Sequence, residues 1–159
     1  MAIQVGDKIP SATLKLAAAD GMKDVSTDEL FRGKVVLFAV PGAFTPTCSM
    51  KHLPGFVHNA EAIRAKGADR IVCLAVNDAF VMGAWGKDQK VGDKVVMAAD
   101  GNGEFTRALG LELDASRFGM GLRSQRFALV AQDGVVKHVA VEAPGKFEVS
   151  SAEAVLKAL

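Results

Sequence analysis

One cysteine in this chain stands where a thiol can serve as a nucleophile. Cys48 lies in the stretch Pro41-Gly42-Ala43-Phe44-Thr45-Pro46-Thr47-Cys48-Ser49. Ahead of it, Lys34-Val35-Val36-Leu37-Phe38-Ala39-Val40 is a continuous apolar run that reads as a buried strand; after it, a breaker-free pattern through Glu61 and Lys66 reads as helix. Thr45 is a good N-cap and Pro46 suits the first helical position, which puts Cys48 inside the first turn. Backbone N–H groups there have no intrahelical partner, and the helix dipole is positive. Such a place favours the thiolate, the reactive form of cysteine. A lone cysteine is most often a small buried hydrophobe. The Thr-Pro-Thr cap, the first-turn position and the loop after a buried strand point the other way, since open α/β sheets place their sites in such loops.

The residues after Cys48 narrow the chemistry. Cys48-Ser49-Met50-Lys51 is not C-x-x-C, so dithiol–disulfide exchange is excluded. A single thiolate can instead attack the terminal oxygen of a peroxide and become sulfenic acid. The chain has one other cysteine, Cys73, in the middle of Arg70-Ile71-Val72-Cys73-Leu74-Ala75-Val76. Strand alternation groups it with Ile71 and Ala75 on one sheet surface, as a buried inert thiol. Two cysteines do not make a disulfide scaffold. His52, His58 and His138 are scattered, so no metal-ligand spacing appears and zinc is not expected. His52 falls four residues after Cys48, on the same helical face if that helix is unbroken. It reads as a partly exposed structural histidine or as a proton donor.

The elements that must position Cys48 follow from pattern. An extended lead-in ends at Pro10. Residues 12–17 alternate as a half-exposed strand, Asp20-Gly21 turns, and 23–25 return as a short strand. Ser26 or Thr27 caps a short helical turn that Gly33 stops. The helix after Cys48 is predicted to bend near Pro54-Gly55 and to end at Gly67. Residues 70–76 form a second interior strand. Asn77 or Asp78 caps a helix over Phe80, Val81 and Trp85. A strand at 95–98, a turn at 100–103 and a helix at 104–109 follow; 111–123 show no clear period. Asp133-Gly134 joins two strands, 126–131 and 135–141, as a hairpin. Ser150 or Ser151 caps a last helix. Strand–helix–strand units imply a partly parallel sheet, and the hairpin adds antiparallel strands. The expectation is an α/β fold with a mixed central sheet flanked by helices. With no repeat, linker or low-complexity tract, residues 1–159 read as one domain.

The stretch 41–49 resembles the P-x-x-x-T-x-x-C loop of the peroxiredoxins, and its Ala-Phe-Thr-Pro-Thr-Cys wording is similar to the type II and peroxiredoxin 5 subfamily. Cys48 through Phe56, Val76-Asn77-Asp78-Ala79-Phe80-Val81-Met82, Trp85-Gly86-Lys87 and Arg123-Ser124-Gln125-Arg126-Phe127-Ala128 share the likeness, which covers nearly the whole chain. The resemblance implies a thioredoxin-like fold and a thiol-dependent peroxidase acting on hydrogen peroxide or small alkyl hydroperoxides. Cys48 matches the peroxidatic cysteine, Thr45 the threonine that contacts sulfur and peroxide, Pro41 the proline that shields the thiolate, and Arg126 the catalytic arginine. Such a guanidinium favours the thiolate and can hold a peroxide oxygen while charge develops. Phe44 and Phe118 form a pocket collar or simply pack, and Arg123 is a second basic neighbour or a surface charge. Cys73 is similar to the second cysteine of plant type II enzymes, a candidate resolving cysteine. The stretch 145–151 has no counterpart of the mammalian enzyme's C-terminal resolving cysteine. An outside thiol, glutathione with glutaredoxin or thioredoxin directly, is therefore the expected reductant. The resemblance also suggests a homodimer.

Composition sets the remaining bounds. A formal net charge of +1 gives no basic surplus for nucleic acid, and no apolar run is long enough to span a membrane. Residues 1–8 lack signal- and transit-peptide character, so a cytoplasmic setting is expected. No phosphate loop or ligand cluster calls for a cofactor. Two rivals use the same cysteine: a glutathione-linked thiol transferase, and a non-catalytic redox sensor or holdase switched by oxidation of Cys48.

Overall fold

The computed structural model describes residues 1–18 and 21–159. The predicted Asp20-Gly21 turn therefore falls partly outside the described residues. Among the described residues nine strands and six α-helices run in the order β1 Thr13–Ala18, β2 Gly21–Ser26, α1 Thr27–Leu30, β3 Lys34–Ala39, α2 Leu53–His58, α3 Ala60–Ala65, β4 Arg70–Ala75, α4 Ala79–Asp88, β5 Val96–Ala99, α5 Glu104–Leu109, β6 Glu112–Asp114, β7 Leu122–Ser124, β8 Phe127–Gln132, β9 Val135–Val141 and α6 Ala152–Ala158.

Seven strands form one sheet in the order β2-β1-β5-β4-β3-β8-β9. β3, β4 and β5 are parallel neighbours; β8 and β9 on one side and β1 and β2 on the other are antiparallel. The central strands are the two unbroken apolar runs, because a strand covered on both faces has no polar face to show. Val36, Phe38, Ile71, Cys73, Ala75 and Val130 pack on one side with Leu53, Phe56, Ile63, Met82, Trp85 and Val155. Val35, Leu37, Val72, Leu74 and Leu129 pack on the other with Leu30, Phe31, Phe105 and Leu109. The α/β architecture with helices on both faces is as expected. Asp133 and Gly134 have φ of 50° and 81°, the paired positive values of a tight hairpin turn.

Two expectations need correction. Residues 111–123 contain the small hairpin β6–β7, with Leu113 opposite Arg123; three-residue strands are too short to show alternation. The helix after Cys48 is distorted before Pro54 rather than at it. Residues 46–47 are α-helical and Cys48–His52 form a π-helical turn, closed by the Leu53 N–H donating to the Cys48 carbonyl. Pro54 has no N–H, and its ring crowds the carbonyl four residues back. The wider turn takes up that misfit, as such single π-turns do, often at functional sites. A second break comes at Asn59, between α2 and α3. Among the described residues no helix is long and apolar enough to cross a membrane.

Candidate active site

Cys48 sits where β3 has run out and the helical turn begins, and it has no exposed surface. Several bonds fix the loop that carries it. The Ser49 N–H donates to the Thr45 carbonyl at 2.9 Å, which makes Thr45 the residue before the first helical position. Its side chain does not cap, however: the Thr45 hydroxyl donates to the Gly42 carbonyl at 2.7 Å. With its hydrogen so placed, Thr45 Oγ1 has lone pairs left to offer and no donor. The Ala43 N–H donates to Asn77 Oδ1 at 2.9 Å, and Trp85 Nε1 donates to Ser49 Oγ at 2.9 Å. Between these ties Phe44 adopts φ of 64°, a left-handed conformation that costs a non-glycine residue roughly 1–3 kcal/mol and persists only where its surroundings impose it.

Arg126, just before β8, reaches Cys48 from the neighbouring strand. Its Nη2 donates to Cys48 Sγ at 3.0 Å, and its Nη1 lies 2.8 Å from His52 Nδ1. The antiparallel β3–β8 register, with Ala39 opposite Phe127, brings residues 78 apart in sequence to one strand end. The contact is charge-assisted, and the guanidinium fork carries N–H groups beyond the two used here.

His52 is fully buried, not partly exposed as the sequence suggested. Its Nε2 lies 2.9 Å from the Ser150 carbonyl. Burial, and then the positive charge of Arg126, lower its pKa from 6.5 to about 3, so the ring is neutral. A carbonyl can only accept, so the ring hydrogen is on Nε2, facing away from the sulfur. That placement removes the proton-donor reading.

A cavity of about 160 Å³ opens beside Arg126, lined by Pro41, Thr47, Leu113, Gln125, Glu142 and the 143–146 segment. Pro41 thus forms part of the cavity wall. Neither Phe44 nor Phe118 lines this cavity. Phe44 is 53% exposed and Phe118 71%; the first tilts toward Trp85 and the second lies under the Arg117 guanidinium. Leu113 and Pro144 supply apolar wall instead, so the collar, one of the two readings open for the phenylalanines, is not what this cavity shows. Arg123 also stays off the sulfur: its Nε donates to the Met120 carbonyl at 2.9 Å, and its side chain packs on Gly42, where a Cβ would come within 3.1 Å of Nη1.

Cys73 lies on β4 between Phe38 of β3 and Met97 of β5. Burial first, and then the nearby Cys48 charge, raise its thiol pKa well above the usual value. Among the described residues no group of three or more His, Cys, Asp or Glu side chains could hold a metal ion.

The sequence alone did not point to Glu142 or Phe147. Burial raises the Glu142 pKa, but hydrogen bonds outweigh it: the Ser150 hydroxyl and the N–H groups of Ser150, Glu148 and Val149 all donate to this carboxylate and hold it below the usual range. An acidic residue just past the end of β9, eight before a Ser-Ser pair, is the one available sequence signal, and it is weak.

Comparison with known proteins agrees with this geometry. The Redoxin family model matches residues 4–156. The chain is similar to the rice chloroplastic peroxiredoxin-2E-2, at 57% identity over 99% of this chain and 72% of that one. It is also similar to peroxiredoxin-2B of Arabidopsis thaliana, at 52% identity over 99% and 98% of the two chains. The structure of reduced Prx3 from Vibrio vulnificus in complex with hydrogen peroxide superposes with a TM-score of 0.94, at 53% identity over 98% of each chain. The chain therefore belongs to the redoxin family, as a peroxiredoxin of the type II and peroxiredoxin 5 kind, a thiol peroxidase.

Proposed function

We propose that the peroxidase cycle of this single domain, residues 1–159, runs on Cys48 and is completed by an external thiol. The carrying observation is the 3.0 Å hydrogen bond from Arg126 Nη2 to Cys48 Sγ. Hydrogen peroxide is bound in the structure of the reduced Vibrio vulnificus relative, and a small alkyl hydroperoxide has the same reacting group. The Cys48 thiolate attacks the terminal oxygen. A sulfur–oxygen bond forms, the O–O bond breaks, and Cys48 becomes sulfenic acid. The leaving oxygen departs as hydroxide or alkoxide and takes a proton from solvent. Arg126 stabilises the charge arriving on that oxygen, while Thr45 Oγ1 accepts the hydrogen of the terminal O–H. Pro41 limits access of water to the sulfur.

Recovery takes two thiols. The first condenses with the sulfenic acid to a mixed disulfide and releases water; the second attacks that disulfide, freeing Cys48 and leaving the oxidised reductant. Cys73 is a poor internal alternative. It is fully buried in a central strand, and its raised pKa leaves little thiolate to attack with. Glutathione with glutaredoxin, or thioredoxin, fills the role. A homodimer in the cytoplasm is the setting we infer. Two free thiols suit a reducing compartment, and Phe44 and Phe80 leave apolar surface open to a partner, 53% and 66% exposed.

Peroxide consumption in the presence of glutathione plus glutaredoxin, thioredoxin, or dithiothreitol tests the cycle. Repeated turnover with at least one of them is expected. One equivalent consumed and then arrest with all three would overturn external resolution and favour a redox sensor.

A further inference from the structure

We propose that His52 is a positioning residue for the peroxidase reaction, the link through which the 142–150 segment holds Arg126 against Cys48. The inference rests on Arg126 acting at Cys48, as proposed above.

His52 is built in from every side. Its ring lies 4.9 Å from Phe38 and 5.6 Å from Phe56, centroid to centroid, and meets Phe147 edge-on at 5.0 Å. Its Nε2 hydrogen is committed to the Ser150 carbonyl, so Nδ1 carries a lone pair, and that lone pair accepts the Arg126 Nη1 hydrogen at 2.8 Å. Arg126 is thereby held at both terminal nitrogens, one on His52 and one on Cys48. A guanidinium is planar and rigid, so fixing Nη1 also fixes the direction in which Nη2 points. An arginine on a flexible stem without that second hold would spread over many rotamers.

The other end of the link is equally fixed. Ser150 presents its carbonyl to His52 because its own N–H and hydroxyl both donate to Glu142 Oε2, at 2.9 and 2.7 Å. The Glu148 and Val149 N–H groups donate to the same oxygen at 2.8 and 2.9 Å. Glu142 is tied back in turn: its N–H donates to the Arg126 carbonyl at 2.9 Å. Phe147, carried by the same segment, lies 5.9 Å from Arg126 Cζ. The segment thus touches Arg126 at its backbone, at its guanidinium face and, through His52, at Nη1. Its buried ends, Glu142 and Ser150, flank exposed residues 143–146, which also line the cavity beside Arg126.

The test is the single-turnover rate of Cys48 oxidation by hydrogen peroxide. Trp85 is the chain's one tryptophan and is bonded to Ser49 beside the sulfur, so its fluorescence reports the step. His52→Phe, which fills the space without an acceptor, is expected to slow oxidation by roughly ten- to a hundredfold, the scale of a small misplacement of a reacting group. His52→Asn, whose amide oxygen can take the place of Nδ1, should recover most of the rate. In an Arg126→Gln background, His52→Phe should add no further loss, because residues acting through one another are not additive. Additive losses would overturn the inference while leaving the role of Arg126 standing. An unchanged rate in Arg126→Gln would overturn both. If His52→Phe fails to fold, His52→Asn against His52→Gln decides the matter: Gln reaches toward Ser150 rather than Arg126, so equal rates would sink the proposal.

Discussion

The two cysteines share nearly every bulk property and differ in one. Cys48 and Cys73 are both fully buried and lie in the same apolar cluster on one face of the sheet. Cys48 opens a helical turn and receives a guanidinium hydrogen bond at 3.0 Å. Cys73 has strand neighbours on both sides, Phe38 and Met97. Burial raises its pKa, the Cys48 charge adds to that, and the more distant Arg126 offsets only part. Burial therefore does not distinguish the two thiols. A cation at hydrogen-bond distance does, and burial strengthens that contact, because a charge interaction away from water is less screened.

Removing each sulfur in turn breaks the comparison most sharply. Cys48→Ser should consume peroxide no faster than buffer, and one equivalent of peroxide should add a single oxygen to Cys48 and none to Cys73 in wild type. Mass spectrometry of the digested protein reads this directly. Turnover retained by Cys48→Ser, or oxygen found on Cys73, would mean that the Arg126 contact is not what separates the two thiols.

Much of this contrast was legible in the chain, for reasons visible at particular residues. The runs at 34–40 and 70–76 announced the central strands because a doubly covered strand shows no polar face, and that placed Cys73 inside the sheet and Cys48 beyond its end. Capping was legible only in part. At Ser26-Thr27, Asn77-Asp78 and Ser150-Ser151 the sequence offers two caps and the structure uses one: Ser26, Asp78 and Ser151. The spare partner makes a distant bond instead. Thr27 donates to the Pro10 carbonyl, Asn77 accepts from Ala43, and Ser150 joins Glu142 to His52. Capping is local and can be read from neighbours; the second use depends on a residue up to 98 positions away. For the same reason the spacing around Cys48 gave no hint of Arg126, which only family resemblance suggested, Glu142 was marked only weakly, and nothing marked Phe147.

Acid should expose the unequal support around the two thiols. The folded-state pKa of His52 is about 3 against an ordinary 6.5, so between those values the unfolded chain binds a proton that the folded chain does not. Stability rises with pH where the unfolded state binds more protons, and falls by about 1.4 kcal/mol for each unit of acidification across that window. Glu142 acts in the same direction: its folded pKa is lowered, so its contribution is lost as pH falls through the carboxylate range. Both groups belong to the Cys48 side. The urea midpoint should drop steadily from about pH 6.5 downward, with a shallower drop in His52→Asn, which has no ring to protonate. Equal slopes in the two proteins would show that His52 is not the buried neutral group described.

The smallest effect expected is at Cys73, and it separates packing from chemistry. If Cys73 resolved oxidised Cys48, Cys73→Ala would stop after one turnover with any reductant that needs the internal disulfide. If Cys73 only fills the sheet, the variant loses one buried sulfur, costing about 1 kcal/mol of stability, while turnover with an external thiol stays at the wild-type rate. The geometry favours the second outcome. Cys73 occupies a strand paired on both sides, so bringing its sulfur to Cys48 requires the helical turn or the strand itself to open. A lower midpoint with unchanged turnover fits a thiol used for packing. Arrest after one turnover would make Cys73 the second redox centre despite its raised pKa.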